Sequence, residues 1–548
     1  MAIPIPKVGF ARFLKEGTQT FKGVDEAVLR NIDACVELAS QVRTGFGPSG
    51  MNKMIINHIE KLFVTNDAAT ILKELKIEHP AARLLVLASQ QQEKQIGDGT
   101  NTVVMLGAAL LENAMTLINM GLKPVEIAEG YEKAYEKLNE LLPKLVVAEA
   151  TNPKDYESVR TFLRSSIASK QFSDDEFIAN MVAKACIQIT PENTYNFNVD
   201  NVRIVKILGS GVASSRLVNG MVFKRGAEGV VKSAKKANVA VFTCPFDLTQ
   251  TETKGTVLME TAKDLLEFSA GEEATVESQV KALADDNVNV VVAAGKFGDL
   301  YLHFLNKYNI MGVRLTSKFD LRRLCLLTGA RAQARVCSPG AAGLGFIDNI
   351  YVDEIGGTEV TVFDRESTHP LISTIIVRGS SQSRMDDVER AIDDGVNTYK
   401  ALTKDSKFLA GAGAVEIELA RQIELYGDKM SNLDQYSIKK YAQSLEVVPK
   451  QLAENAGLEP TKLLSVLYTE HEQGGKNQGV NVSFGEQTVD ANVMKIYDHY
   501  VSKKTAIRLA TEAAITILNI DKIIMSKQAG GPKPRAPLPQ DEDESGMA

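Results

Sequence analysis

The sequence predicts a multidomain protein of the α and α/β class, with helical segments at both ends of the chain and an α/β module between them. Three observations lead there. At 548 residues the chain exceeds what one hydrophobic core normally organises, so about three domains are expected. Apolar residues recur every three or four positions towards both ends. Short β-rich runs alternating with helical stretches fill the middle.

Hydrophobic residues make up 44% of the chain and charged residues 24%, the balance of a globular protein that buries large cores rather than of a disordered or fibrous one. A net charge of −7 argues against a polyanion-binding surface, so nucleic acid is not an expected partner. Cys35, Cys186, Cys244, Cys325 and Cys337 lie far apart, without a CxxC pair or a histidine at metal-ligand spacing, and read as reduced, mostly buried thiols. The stretch MAIPIPKVGFARF lacks an apolar signal region, and no run of 18 or more apolar residues follows. The expectation is a cytoplasmic protein with no membrane partner.

From Val24 onwards, Val28, Ile32, Cys35, Ala39 and Val42 draw one apolar helical stripe that runs into the loop TGFGPSGMNK. After Asp98–Thr102, Val103, Leu106, Leu110, Ala114 and Leu117 keep helical spacing while Val104, Leu111 and Ile118 fill the other side, which predicts a helix buried nearly all round. Beyond about Asp200 come VRIVKIL (202–208), NVAVFTC (238–244), VNVVVAA (288–294) and the stretch Phe346–Phe363, read as one α/β module with its own core. The polar-to-amphipathic stretch from Asp247 to Gly271, bounded by Gly255 and Gly271, reads as an excursion from it. Helical spacing returns with Met385, Val388, Ile392, Val396 and Tyr399 and dominates to about Met525. The last residues, rich in Pro and Gly with an acidic run at Asp541–Glu544, read as a disordered tail.

Four short elements combine flexible glycines with an acid or a hydroxyl, the makings of a phosphate and metal site. In Gly45-Phe46-Gly47-Pro48-Ser49-Gly50 the glycines let backbone N–H groups approach an anion, although a plain Gly-Pro turn reads the same way. Gly97-Asp98-Gly99-Thr100-Asn101-Thr102 precedes the buried helix, whose N-terminus offers free N–H donors to a phosphate, with Asp98 able to hold Mg²⁺; an ordinary N-cap is the alternative. Thr65-Asn66-Asp67-Ala68, and Asp393-Asp394 followed by Gly411-Ala412-Gly413-Ala414, could orient a water for attack on a γ-phosphate, or could be solvated acids and turn glycines. No GxxxxGK[ST], kinase, HExxH or GxSxG signature is present, and the histidines do not cluster. Residue types and spacing alone leave a phosphate-binding protein, with ATPase activity one option.

The ordered set GPSGMNK, TNDAATIL, GDGTNTVV, GAGAVEIELA and TEAAITILNID resembles the group II chaperonins over roughly residues 10–530. Ala68 and the stretches MDDVERAIDDGVNTYK and IIMSKQAGGPKP place the resemblance nearest one subunit type of the eukaryotic complex. The resemblance implies a chaperonin fold. Residues 1–150 and 405–530 would form a helical equatorial ATP domain, 151–218 and 372–404 a small intermediate domain, and 219–371 an α/β apical domain. A helical protrusion at about 247–271 would be its built-in lid, and 531–548 the disordered tail.

It also implies an ATPase using ATP and Mg²⁺, placed with paralogous subunits in a hetero-oligomeric double ring that acts on unfolded client proteins. Gly47 and Pro48 would line the nucleotide, Asp98 would ligate Mg²⁺, and Gly99, Thr100, Asn101 and Thr102 would hold phosphates. Gly411, Ala412 and Gly413 would face the ribose, Asp498 would bind it or the base edge, and Gly479 would approach adenine. Asp394 would position the attacking water, assisted by Asp67. Ala68 and Ala412 replace glycines of the common family pattern and Asn101 replaces a threonine; a Cβ costs energy where φ is positive, and Asn101 lacks the hydroxyl. A nucleotide-binding but weakly hydrolysing structural ring subunit is therefore the alternative reading.

Overall fold

The computed structural model describes residues 19–20, 24–57, 60–171, 173–193, 196–247, 262–366, 371–483, 487–522 and 524–525. The tail expected at 531–548 and most of the stretch expected to form the protrusion lie outside these residues.

The two ends of the chain share one hydrophobic core, built from residues between Val28 and Leu145 and between Leu409 and Leu518. Helix Val24–Arg43 turns its predicted stripe inward: Val28, Ile32, Cys35, Ala39 and Val42 are all buried. A fully buried Val or Leu contributes roughly 1.5–3 kcal/mol, so a stripe of this kind outweighs the modest helix propensity of β-branched residues. Helix Thr100–Asn119 is long and apolar enough to cross a membrane by length and composition. It is instead the centre of the core, packed against Val24–Arg43, Pro80–Gln95, Asp434–Leu445 and Tyr500–Leu518, and Tyr131 Oη donates to its Leu110 carbonyl at 2.8 Å. A three-stranded antiparallel sheet ties the ends together: Lys407–Ala410 lies between Tyr497–His499 and Val146–Glu149, with Leu409 opposite Asp498.

A second core lies under helices Tyr156–Ala168, Asp175–Ile189 and Gln382–Lys404. The last of these buries Met385, Val388, Ile392, Val396 and Tyr399, the positions its spacing predicts. Its sheet has Ser373–Gly379 in the middle, parallel to Val202–Leu208 and antiparallel to Arg216–Val218. This corrects the grouping drawn from the pattern of β-rich runs, not the 151–218 division that the resemblance implies. VRIVKIL forms the strand predicted, but it belongs here and not to the α/β module, because its partner, with Ile375, Ile376 and Val377 buried, is far along the chain where periodicity cannot see it.

The α/β module has a six-stranded mixed sheet in the order Met311–Arg314, Val290–Ala293, Ser233–Phe242, Gly345–Ile355, Thr358–Asp364, Gly220–Phe223. The first three strands are parallel and the remaining pairings antiparallel. Val290–Ala293 is buried along its whole length, as expected of a parallel strand covered on both faces. Gly271 does not break the helix: Ala262–Asp285 runs through it, and nothing lies within 4 Å of where its Cβ would be. A glycine there lowers helix propensity by about 1 kcal/mol against alanine, too little to break a helix whose later turns bury Val276, Val280 and Leu283.

The five cysteines are free, but only Cys35 and Cys186 are buried; Cys244 and Cys325 are half-buried. Cys337 is exposed in an irregular segment. Burial pushes the Cys35 thiol up to about 12, which makes it inert as a nucleophile near neutral pH.

Candidate active site

A cavity of about 330 Å³ opens between the shared core of the chain ends and the helices of the second core. Gly47, Pro48, Asp67, Asp98, Gly99, Thr100, Asn101, Thr102, Asp394, Ala412, Gly413 and Asp498 all line it. Segments scattered from one end of the sequence to the other thus converge on one space. Gly411 and Gly479 are the exceptions. Gly411 is packed behind the wall, where a Cβ would sit 2.9 Å from Ile496 Cγ2, and Gly479 is pressed onto Ala412, whose carbonyl oxygen would be 2.7 Å from a Cβ. Val480 and Asn481 line the cavity in its place.

Two helix N-termini open on the cavity. Gly99, at φ 80°, precedes helix Thr100–Asn119, and Gly413, at φ 79°, precedes helix Ala414–Gly427. Neither end has a side-chain cap, so the ordinary N-cap alternative, with an Asp or Thr side chain, does not hold for the first and its leading N–H groups stay available to an anion. Gly47 also has positive φ, 79°, and a Cβ there would sit 2.6 Å from Leu452 Cδ2.

The three positions that depart from the family pattern behave differently. Ala68 begins helix Ala68–Glu74 and carries no positive φ, so its methyl is free of backbone strain. Ala412 sits at φ 56°, the left-handed region, at a cost of roughly 1–2 kcal/mol. Asn101 reaches the Val42 carbonyl with Nδ2 at 3.4 Å, while its Oδ1 is buried without a hydrogen-bond partner.

The carboxylates gather around a lysine that the sequence reading did not single out. Lys170 follows helix Tyr156–Ala168, and its Nζ lies 2.8 Å from both Asp67 Oδ1 and Asp394 Oδ2. Asp67 also caps helix Ala68–Glu74, accepting from Thr70 N at 3.0 Å and Thr70 Oγ1 at 2.7 Å. Burial pushes the Asp67 carboxyl up, but Lys170 and Thr70 outweigh it and hold it at about 2. Asp394 goes the other way: burial, with Asp98 and Asp67 nearby, raises it well above the usual carboxylate range despite Lys170. One acid is fixed as a carboxylate and the other made basic, a division suited to handling a water proton.

Asp98 accepts from Gly99 N at 2.6 Å and from Ser166 Oγ at 3.0 Å, and Ser166 Oγ is 3.1 Å from Thr398 Oγ1. Burial raises its carboxyl above the usual range. Among the described residues no group of three or more His, Cys, Asp or Glu could hold a metal ion alone. A single acid beside open helix N-termini instead fits a Mg²⁺ held mainly by nucleotide phosphates and water. On the far side, Asp498 is 2.6 Å from Lys503 Nζ, which also reaches buried Glu416 at 2.5 Å. Lys503, like Lys170, lies outside any glycine-rich motif.

The sequence profile described as the TCP-1/cpn60 chaperonin family matches residues 38–528. T-complex protein 1 subunit theta of Caenorhabditis elegans is 64% identical over the full length of both chains, and that of Caenorhabditis briggsae likewise. The human protein of the same name is 52% identical, covering 97% of this chain and 98% of its own length. The sequence resemblance and its placement nearest one subunit type agree with these relatives.

Proposed function

Because this chain belongs to the TCP-1/cpn60 chaperonin family, and is accordingly a protein-folding chaperonin subunit that uses ATP, we propose that the cavity described above is its ATP-hydrolysing site. The observation that carries this reading is the convergence of Asp394, Asp67 and Lys170 with the open N-terminus of Thr100–Asn119 around one space.

In this reading Gly47 and Pro48 line the nucleotide, Gly99–Thr102 take the phosphates, Asp98 would ligate Mg²⁺, and Ala412, Gly413 and Asp498 meet the sugar. Gly411 and Gly479 act from behind, as close-packed supports. Bound Mg²⁺ would neutralise phosphate charge. Asp394 holds the attacking water and accepts its proton, Asp67 stays ionised and keeps Lys170 in place, and Lys170 offers positive charge to the γ-phosphate.

The two-part equatorial division at 1–150 and 405–530 is supported by the core shared between the chain ends. The intermediate division at 151–218 and 372–404 is supported by the parallel pairing of Val202–Leu208 with Ser373–Gly379, and the apical division at 219–371 by the six-stranded sheet. Asp394 and Lys170 then come from the intermediate part and Asp67 and Asp98 from the equatorial part, so completing the site and moving the domains are one event. Paralogous subunits in a hetero-oligomeric double ring, unfolded clients, closure of a lid at about 247–271 and a cytoplasmic location are part of the same proposal, supported by membership of this family.

Single-turnover hydrolysis by this subunit, in a ring whose other subunits carry inactivated catalytic aspartates, tests the proposal. Turnover supports it. Bound but unhydrolysed ATP would favour a structural ring subunit.

A further inference from the structure

Behind the wall made by Ala412 and Val480 lies a buried acid–imidazole pair that takes no part in the roles above. Glu418, on helix Ala414–Gly427, is fully buried. Its Oε1 accepts from Arg421 Nη2 at 2.8 Å and Gln422 Nε2 at 2.5 Å, and its Oε2 is 3.0 Å from His471 Nδ1. Burial pushes this carboxyl up, but the donors from His471, Arg421 and Gln422 outweigh it and hold it at about 2. His471, in the last turn of helix Pro460–Glu472, is 1% exposed, and its Nε2 is 2.8 Å from the Gln478 carbonyl oxygen. The ring thus bridges a carboxylate at one nitrogen and a backbone carbonyl at the other.

The backbone beside this pair is tied a second time. Val480 N donates to the Ala412 carbonyl at 2.8 Å, and Gly479 leaves no space for a Cβ against that same carbonyl. Strand Gln478–Val480 is thus fixed on either side of Gly479: through Val480 to the loop before helix Ala414–Gly427, and through Gln478, His471 and Glu418 to that helix itself. The tie through His471 consists of two contacts shielded from water, where a hydrogen bond to a charged group is strongest.

We propose that His471 is a positioning residue for nucleotide binding, clamping strand Gln478–Val480 to helix Ala414–Gly427 and so setting the width of the adenosine side of the cavity. The inference rests on the reading of the cavity as an ATP site, with phosphates at Gly47 and Gly99–Thr102. His471 acts through Gln478 and Glu418 and does not itself line the cavity. The hydrolytic end, with Asp67, Asp394 and Lys170, is held by other segments and does not depend on the clamp.

The test uses the assembled complex with the catalytic aspartates of the other subunits inactivated, and follows the ATP dependence of single-turnover hydrolysis by this subunit. His471→Leu raises the half-saturating ATP concentration about tenfold, the worth of one hydrogen bond to a charged group. His471→Gln, which keeps one donor, gives an intermediate rise and decides the matter if the leucine variant does not assemble. In both variants the maximal rate stays within about twofold, because transition-state contacts are untouched. Inorganic tripolyphosphate, which lacks adenosine, inhibits parent and variants at the same concentration. Unchanged half-saturation, a maximal rate that falls in step, or equally weakened tripolyphosphate inhibition would overturn the clamp. Absence of hydrolysis by the unmutated subunit would instead remove the ATP reading and the inference with it.

Discussion

Lys170 Nζ lies 2.8 Å from Asp394 Oδ2 and spans from there to Asp67 Oδ1 at the same distance, joining a carboxylate on helix Gln382–Lys404 to one at the head of helix Ala68–Glu74. All three groups are largely buried, with side-chain exposures of 16%, 6% and 10% for Lys170, Asp394 and Asp67. Removing the cation therefore leaves two carboxylates facing each other without their shared counterion. Lys170→Met is expected to slow hydrolysis by this subunit at least about tenfold and to destabilise the folded chain by about 3–5 kcal/mol. Single-turnover hydrolysis and thermal unfolding of the assembled complex check both, and near-normal turnover would show that Lys170 has no catalytic role.

The acids of this triad also predict a pH dependence. Asp67 moves from an ordinary 3.8 to about 2, so its contribution to stability is fully present above about pH 4 and is lost as pH falls through about 2. Asp394 is raised, so ionising it in the folded state costs stability as pH rises above the ordinary carboxylate value. Hydrolysis needs Asp394 ionised, and the rate is expected to fall on acidification at a pH above the usual carboxylate range. A pH–rate profile of this subunit checks it; an acid limb at or below 3.8 would contradict the assignment.

How much of this was legible in the sequence depended on whether the signal was local. The stripe Val28, Ile32, Cys35, Ala39, Val42 and the helix after Asp98 follow from periodicity, and glycines 97 and 99 next to hydroxyls mark an anion-ready helix start. Asp394 is a different matter. On helix Gln382–Lys404 it is one acid among several, and only resemblance to a family separated it from Asp393, which does not line the cavity. Lys170 and Lys503 were missed because each acquires its role from partners distant in sequence, and a lysine in ASKQFSDD or VSKKTAI carries no local mark. The pattern of runs marks VRIVKIL as a strand but groups it with the α/β module for the same reason; only the resemblance, through the 151–218 division, sets it apart.

The contact between Gly479 and Ala412 makes a steric prediction. A methyl on Gly479 would sit 2.7 Å from the Ala412 carbonyl oxygen and 2.9 Å from its Cβ, both on a loop already at positive φ. Gly479→Ala must displace that loop and is expected to raise the half-saturating ATP concentration about tenfold or more, the effect of roughly 1–3 kcal/mol of overpacking. Ala412→Gly in the same background shortens the clash and relieves the left-handed strain, so it should recover part of the loss. Failure of the double variant to recover any affinity would show that the contact is not what limits binding.

Asp98 and Asp394 can be separated by what each does to binding. Asp98 sits beside the first turn of Thr100–Asn119, with Gly99 N at 2.6 Å, where phosphates and Mg²⁺ would lie. Asp98→Ala is expected to weaken Mg-ATP binding by this subunit as well as hydrolysis, and the loss should shrink when binding of ATP is measured without Mg²⁺. An equal loss with and without Mg²⁺ would remove the metal role.

The central claim is that Asp394 acts on the transition state of ATP hydrolysis while the glycine-rich loops and Asp98 bind the nucleotide. The most direct measurement is Asp394→Ala in the assembled complex, with ATP binding and single-turnover hydrolysis by this subunit followed side by side. A water-positioning carboxylate contributes typically about 10²–10⁴-fold to the rate, so hydrolysis should fall by that much while the half-saturating ATP concentration changes by less than about threefold. Binding and hydrolysis lost to the same degree, or hydrolysis left intact, would contradict the account.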